Sequence, residues 1–329
     1  MTTVDVTCLG EALIDFVPLE RGVSFADASR FLRAPGGAPA NVAAGVARLG
    51  GASAFIGRVG DDPFGRFIRD TLARDGVDTR GMRFDTTART GLAFVALGEG
   101  GERDFCFFRN PSADMLLSPG DVDAGLVAGS RAFHFGSISL IDSPAREATE
   151  HALGVARRAG AMVSYDPNLR PALWPDLESA RRTIRCFLSL ADVVKVSDEE
   201  LRFLTGQADV AEGLRSLAEG CPGLLVATRG ARGCAWRLAS GATGALRGHA
   251  VRSVDTTGAG DAFVAAMVLS LVRATRGGPL SALDEDVVAG AMRRANAAGA
   301  LATTVEGAIP SLPSAAAVEA LAGAEPSAQ

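Results

Sequence analysis

The sequence predicts an α/β protein with a mostly parallel central sheet flanked by helices and a small β-sheet lid. Three observations carry this expectation. Short apolar runs alternate with helix-length stretches over residues 4–75 and again from residue 131, the rhythm of a parallel sheet covered on both faces. Between those blocks lie two strand-like runs, 90–97 and 103–109, joined by the glycine-rich segment 98–102 as in an antiparallel hairpin. No repeat, low-complexity tract or linker interrupts the chain before its Ala/Pro/Ser-containing end. Residues 1–329 therefore read as a single domain whose lid comes from excursions at about 11–36 and 84–116.

The elements follow in order. Residues 4–10 form an apolar run ending in glycine, suited to a buried strand. Glu11 and Asp15 come just past its C-terminal end, where open parallel sheets bind ligands. Residues 20–35 show no long periodic element. The stretch Ala34-Pro35-Gly36-Gly37-Ala38-Pro39-Ala40-Asn41 then leads into a helix of small residues at 42–50. Adjacent glycines let backbone approach a ligand closely, and Asn41 offers both a donor and an acceptor. A strand at 53–59 and a helix at 63–75 complete the first block. In the hairpin, Phe107 and Phe108 either wall a site or fill the lid's own core, and Arg109 supplies a cation.

The second block opens with a strand at 132–135, a helix at 143–159 and a strand at 162–165. That strand runs into the polar turn Asp166-Pro167-Asn168-Leu169-Arg170, where Arg170 is placed to meet a phosphate. His134 reads as a packed or hydrogen-bonded core residue. A helix at 178–190 and a strand at 193–197 precede three acids: Asp198 and Glu199 suit helix capping, and Glu200 suits holding a metal ion through water. A strand at 223–228, a glycine-bearing turn at 229–233, a returning strand at 234–238 and a small-residue helix at 287–303 carrying Asn296 complete the pattern.

The chemistry centres on Asp255-Thr256-Thr257-Gly258-Ala259-Gly260-Asp261, which runs directly into the apolar segment 262–269. A glycine loop delivering the chain onto a helix N-terminus presents unpaired N–H groups and the positive end of the helix dipole to an anion. Asp261 at the same corner would repel a phosphate unless it has a proton to collect. The pairing suits an anion transferred onto a hydroxyl that Asp261 deprotonates; a capping carboxylate behind a glycine turn is the simpler alternative.

Composition and missing motifs exclude several classes. With 47% hydrophobic and 22% charged residues the chain is an ordinary globular protein. A net charge of −5 offers no basic stripe for nucleic acid and no polybasic membrane patch. The five cysteines, Cys8, Cys106, Cys186, Cys221 and Cys234, are widely spaced and read as reduced, mostly buried thiols. No secretory signal or membrane-spanning run is evident, so a cytoplasmic location is expected. There is no Walker P-loop, no G-x-S-x-G elbow and no H-E-x-x-H, and the dinucleotide fingerprint fails because Phe263 stands where its third glycine would be.

Two segments carry a family likeness. Gly36-Gly37-Ala38-Pro39-Ala40-Asn41 and Asp255-Thr256-Thr257-Gly258-Ala259-Gly260-Asp261-Ala262-Phe263 closely resemble the two signatures of the ribokinase-like (PfkB) carbohydrate kinases, in the right order, and the match extends over nearly the whole chain. Residues 10–18, 107–117, 134–140 and 166–170 look most like the fructokinases of that family. The resemblance implies a Rossmann-type sheet with a lid, and ATP-dependent transfer of the γ-phosphoryl group to the 6-hydroxyl of D-fructose. The nearest alternatives are a 2-keto-3-deoxygluconate kinase, a ribokinase or a riboside kinase. The non-enzyme alternative is a catalytically silent sugar- or nucleotide-binding regulatory subunit, although the base and its glycines are all present.

Carried over by position, the resemblance makes Asp261 the catalytic base and Gly258, Ala259 and Gly260, with Asp261, its anion hole. Asp15, Gly36, Gly37, Asn41 and Arg109 become sugar contacts. Arg170, Lys195, Thr228, Gly230, Gly233, Gly258, Gly260 and Asn296 surround ATP. Glu200 organises Mg2+ through water, while Asp255 and Thr257, with carbonyls of residues 302–307, match a monovalent cation site for an ion such as K+. Where much of the family has Asn-x-x-Glu, this chain has Ser197-Asp198-Glu199-Glu200, which puts a direct role for Ser197 in doubt. A homodimer formed through the lid is also implied.

Overall fold

The computed structural model describes residues 4–20, 27–97, 103–220 and 223–324. The strands are β1 (Val4–Leu9), β2 (Leu13–Pro18), β3 (Phe31–Gly36), β4 (Ser53–Gly60), β5 (Asp78–Asp85), β6 (Gly91–Leu97), β7 (Arg103–Phe108), β8 (Ser130–Phe135), β9 (Met162–Tyr165), β10 (Val193–Ser197), β11 (Leu224–Thr228), β12 (Cys234–Arg237) and β13 (Thr243–Leu246). The helices are α1 (Ala38–Arg48), α2 (Pro63–Arg74), α3 (Ala124–Ala128), α4 (Ala145–Arg158), α5 (Leu177–Leu188), α6 (Asp198–Thr205), α7 (Val210–Ala218), α8 (Ala259–Thr275), α9 (Glu285–Ala302), α10 (Ala308–Ser311) and α11 (Ala315–Ala322).

The strands form two sheets. The larger has the order β13-β12-β11-β10-β9-β8-β1-β4-β5, parallel except for β12 and β13 at one edge. Its side chains alternate between two cores, as β11 shows: Leu224 and Val226 face one cluster, Leu225 and Ala227 the other. Helices α1, α8 and α9 cover the first face, and α4 to α7 the second. Among them α8 is buried without interruption from Asp261 to Leu269, because it lies between the sheet and the flanking α1 and α9. The smaller sheet, β3-β2-β6-β7, pairs β2 with β6 in parallel and joins both expected excursions.

Several local expectations need correction. Residues 78–85 form a strand, so the first αβ block extends one strand further than the periodicity suggests. Residues 31–36 are a strand although the sequence shows no long periodic element there. The connection at 98–102 lies outside the described residues, as does Cys221. Among the described thiols, Cys8 and Cys234 are buried and Cys106 and Cys186 are exposed, so burial holds for two of those four. His134 packs in the core with Nδ1 3.0 Å from Ser164 Oγ, and burial drives its pKa down to about 3. No helix among the described residues is long and apolar enough to cross a membrane.

Candidate active site

Parallel pairing of β1, β8, β9, β10 and β11 places their C-terminal ends on one side of the sheet. Gly10, Asp166, Ser197 and Thr228 therefore lie along one rim, facing the start of α8. That helix begins at Gly258, which has φ 78 and no side-chain cap. A Cβ there would sit 2.9 Å from Ala308 Cα, so both the dihedral and the close approach of α10 require glycine.

Asp261, in the first turn of α8, is 8% exposed. Its Oδ2 accepts the side-chain amide of Asn41 at 2.8 Å. Asn41 lies in the first turn of α1, and its Oδ1 is buried without a partner. The two helices meet because Gly45 and Ala265, each one turn further on, touch: a Cβ on Gly45 would fall 2.7 Å from Ala265 Cβ. Burial raises the Asp261 pKa to about 6; the Asn41 hydrogen bond opposes that rise, Asp166 adds to it, and Lys195 and Arg170 oppose it. A carboxyl tuned this way can take a proton near neutral pH.

Lys195 completes the corner. Its ammonium is buried, bonds Asp166 Oδ2 at 3.0 Å, and lies 3.2 Å from where a Cβ on Gly260 would be. Asp166 also accepts the Asn168 amide. Arg170 follows Asn168, whose φ of 46 turns the chain, and its Nη1 donates to Leu169 O at 3.2 Å. The helix tip thus carries a buried carboxyl, a buried cation and a second cation within electrostatic reach.

The residues expected to meet the sugar belong to the small sheet, α1 and the segment after β7. Asp15 on β2 lies against β3, and a Cβ on Gly36 would collide with Asp15 Oδ2 at 2.1 Å. Gly37 has φ 102 and is the N-cap of α1. Arg109, the other expected sugar contact, lies just past the end of β7. Its guanidinium forms a buried ion pair with Asp114, which also accepts from Ser112, so its charge is directed within the junction of the lid.

On the other flank Thr228 sits beside Ser197 in register, with its Oγ1 3.4 Å from Val196 O. Gly230 has φ 54 and Gly233 φ 86; a Cβ on Gly233 would meet Leu246 O at 2.1 Å. Asn296 on α9 donates to Arg247 O at 3.3 Å. Asp255 organises the loop before α8: Oδ1 accepts the Thr257 amide and hydroxyl, and Oδ2 accepts the Gly307 amide at 2.9 Å. This holds the 303–307 carbonyls next to the 255–257 turn.

Glu200, the residue expected to organise Mg2+ through water, lies in the first turn of α6. One oxygen accepts the Leu169 amide at 2.6 Å and the other the Ser197 amide at 2.8 Å, while Ser197 Oγ accepts the Glu200 amide. Ser197 and Glu200 are the capping pair of α6, and Asp198 instead meets Arg232. No group of three His, Cys, Asp or Glu side chains suited to a metal occurs among the described residues. The donor set fits a divalent ion carried mainly by nucleotide phosphates and water. Glu11 and Asp166, each at or just past the end of a buried parallel strand, are marked by the sequence, but the resemblance assigns them no role.

A mostly parallel sheet with a smaller sheet beside it, and a buried carboxyl close to a lysine at a glycine-led helix tip, are the features of a phosphotransferase of ribokinase-like fold. The chain belongs to the pfkB family of carbohydrate kinases, which matches residues 4–315. It is 50% identical over 320 residues to the probable fructokinase-7 of Arabidopsis thaliana, covering 96% of this chain and 92% of that protein. The fructokinase of Xylella fastidiosa with bound ATP superposes with a TM-score of 0.86 at 39% identity, covering 96% of this chain and 97% of that one. A fructokinase double mutant of Vibrio cholerae O395 in fructose-, ADP- and potassium-bound form gives 0.84 at 39% identity, covering 97% and 98%.

Proposed function

We propose that this protein is an ATP-dependent fructokinase that transfers the γ-phosphoryl group to the 6-hydroxyl of D-fructose. The observation that carries the reading is the Asn41–Asp261 hydrogen bond at the tip of α8, which joins the two signature segments in one site. Likeness to proteins described as fructokinases, two of them with ATP or with fructose and ADP bound, supports the substrate pair.

In this reading the sugar lies between the small sheet and α1, held by Asp15, Asn41 and the backbone of Gly36 and Gly37. Asp261 accepts the proton of the attacking hydroxyl as the bond to phosphorus forms and the bond to the ADP oxygen breaks. The amides of residues 258–261, with Lys195 and Arg170, face the charge that spreads over the transferring group. Glu200 would hold a magnesium ion through water, and the ion would supply further neutralising charge to the ATP phosphates. Thr228, Gly230, Gly233 and Asn296 border the nucleotide. Asp255 and Thr257 shape the loop for a monovalent cation such as K+. The small sheet serves as a lid that excludes water. Its edge strands β3 and β7, with Leu32 and Phe108 exposed, are where a homodimer would form. The cytoplasm is the expected compartment.

A coupled ADP-release assay across fructose, ribose, glucose and 2-keto-3-deoxygluconate tests the reading. The highest kcat/KM is expected with fructose. A preference of about tenfold or more for another sugar, well within what polar pairing can discriminate, would replace the assigned substrate. No ADP release with any sugar would overturn the enzyme itself.

A further inference from the structure

All four strands of the small sheet meet the body of the protein at one junction. β2 starts at Leu13, two residues after Glu11; β3 ends at Gly36, two before Ala38; β6 begins at Gly91; and β7 ends at Phe108, next to Arg109. Glu11 is 3% exposed there. Its Oε1 accepts the Ala38 amide at 3.0 Å, and its Oε2 is buried with no partner. Ala38 is the first residue of α1, whose N-cap, Gly37, has no side chain to offer. Glu11 therefore caps that helix from 27 residues upstream in the chain.

The rest of the junction is polar and equally enclosed. Arg109 and Asp114 pair with side-chain exposures of 7% and 2%. Asp114 and Ser112 press against Gly91, where a Cβ would lie 3.2 Å from Asp114 Oδ1 and 3.3 Å from Ser112 Oγ. Arg109 attracts the Glu11 carboxylate and Asp114 repels it. The carboxyl thus contacts or feels segments that lead into β2, out of β3 and out of β7.

We propose that Glu11 is a positioning residue for the sugar subsite, holding the lid and α1 in one register through its bond to the Ala38 amide. That single hydrogen bond stands between the residues assigned to the sugar. Asp15 lies four residues beyond Glu11 on β2, Gly36 and Gly37 directly precede Ala38, and Asn41 lies three residues after it. Losing it lets Asp15 and Asn41 move independently, which loosens sugar binding and leaves the nucleotide residues on β10, β11 and α9 in place. A carboxyl that merely capped α1 would change stability without distinguishing one substrate from the other.

The inference rests on the sugar-kinase reading, and the test separates the two. Wild type, Glu11→Ala, Glu11→Asp and Glu11→Gln are assayed for KM with fructose and with ATP, and for fructose binding by calorimetry. Glu11→Ala, and Glu11→Asp with its carboxylate withdrawn by a methylene, raise the fructose KM about tenfold or more and hold the ATP KM within about twofold. Glu11→Gln, whose amide oxygen accepts from Ala38 in the same way, stays within about threefold of wild type for both. An unchanged fructose KM in Glu11→Ala, or a parallel rise in the ATP KM, overturns the proposal. Should Glu11→Ala fail to fold, equal fructose KM values for Glu11→Asp and Glu11→Gln do so instead. A wild-type protein that neither binds nor phosphorylates fructose sinks the fructokinase reading and this inference together. One that does both while Glu11→Asp matches it sinks the inference alone.

Discussion

Asn41 donates its amide to Asp261 Oδ2 at 2.8 Å, and one turn further along both helices Gly45 lies against Ala265. The hydrogen bond in the site is a consequence of that contact in the core. Replacing Gly45 by Val places a Cβ where only 2.7 Å separates it from Ala265 Cβ, forcing α1 and α8 apart. The expected cost is about 1–3 kcal/mol, read as a lowered urea midpoint, together with a loss of kcat. Adding Ala265→Gly to the same chain restores most of both; no recovery in the double variant would show that the contact does not set the site.

The raised pKa of Asp261 gives a signed pH dependence. Only the ionised carboxylate accepts a proton, and burial lifts its pKa to about 6. The kcat/KM for fructose is therefore flat well above pH 6 and falls about tenfold per unit below it. Asn41→Ala removes the hydrogen bond that opposes the rise, so its midpoint lies higher than that of wild type. A wild-type profile flat down to pH 5 would contradict the assignment.

Lys195 makes a separate prediction. Its ammonium faces the α8 tip and also favours the charged form of Asp261. Lys195→Met is expected to lower kcat by about 10²-fold or more, the size usual for a lost transition-state donor, and to move the pH midpoint upward. Steady-state kinetics across pH measure both effects in one series.

Glu11 should reveal itself in stability as well. Burial raises its folded pKa from 4.5 to about 7. The sign follows from linkage: the neutral form is favoured in the native state, so wild-type stability is full below pH 4.5 and is lost as pH rises through 7. Glu11→Gln cannot ionise. Its stability relative to wild type should grow between pH 4.5 and 8 by up to about 3 kcal/mol, and urea unfolding at the two ends measures the change. A gap that stays constant would mean that Glu11 ionises in the folded protein as it does in the unfolded chain, with no burial-raised pKa.

Much of the architecture was legible because buried parallel strands are short apolar runs, as in Val193–Ser197, and because α8 is apolar on every side. β5 was not, since Asp78–Asp85 is an edge strand whose charged residues mask the alternation. The two signature segments marked Asp261 and Asn41, but their contact depends on Gly45, whose value lies in a helix crossing. The Arg109–Asp114 ion pair was not legible, because the two residues, five apart, are brought together only by the turn between them. Glu200 shows the reverse case. Ser197-Asp198-Glu199-Glu200 is a capping-box pattern, and the structure realises that local role with both carboxylate oxygens.

The account turns on proton acceptance at residue 261, and the direct test is the kcat of Asp261→Asn with fructose and ATP, paired with calorimetric ATP binding. The account predicts a fall of about 10²-fold or more in kcat with ATP affinity near that of wild type, in line with general-base effects. Turnover within a few-fold of wild type would contradict it.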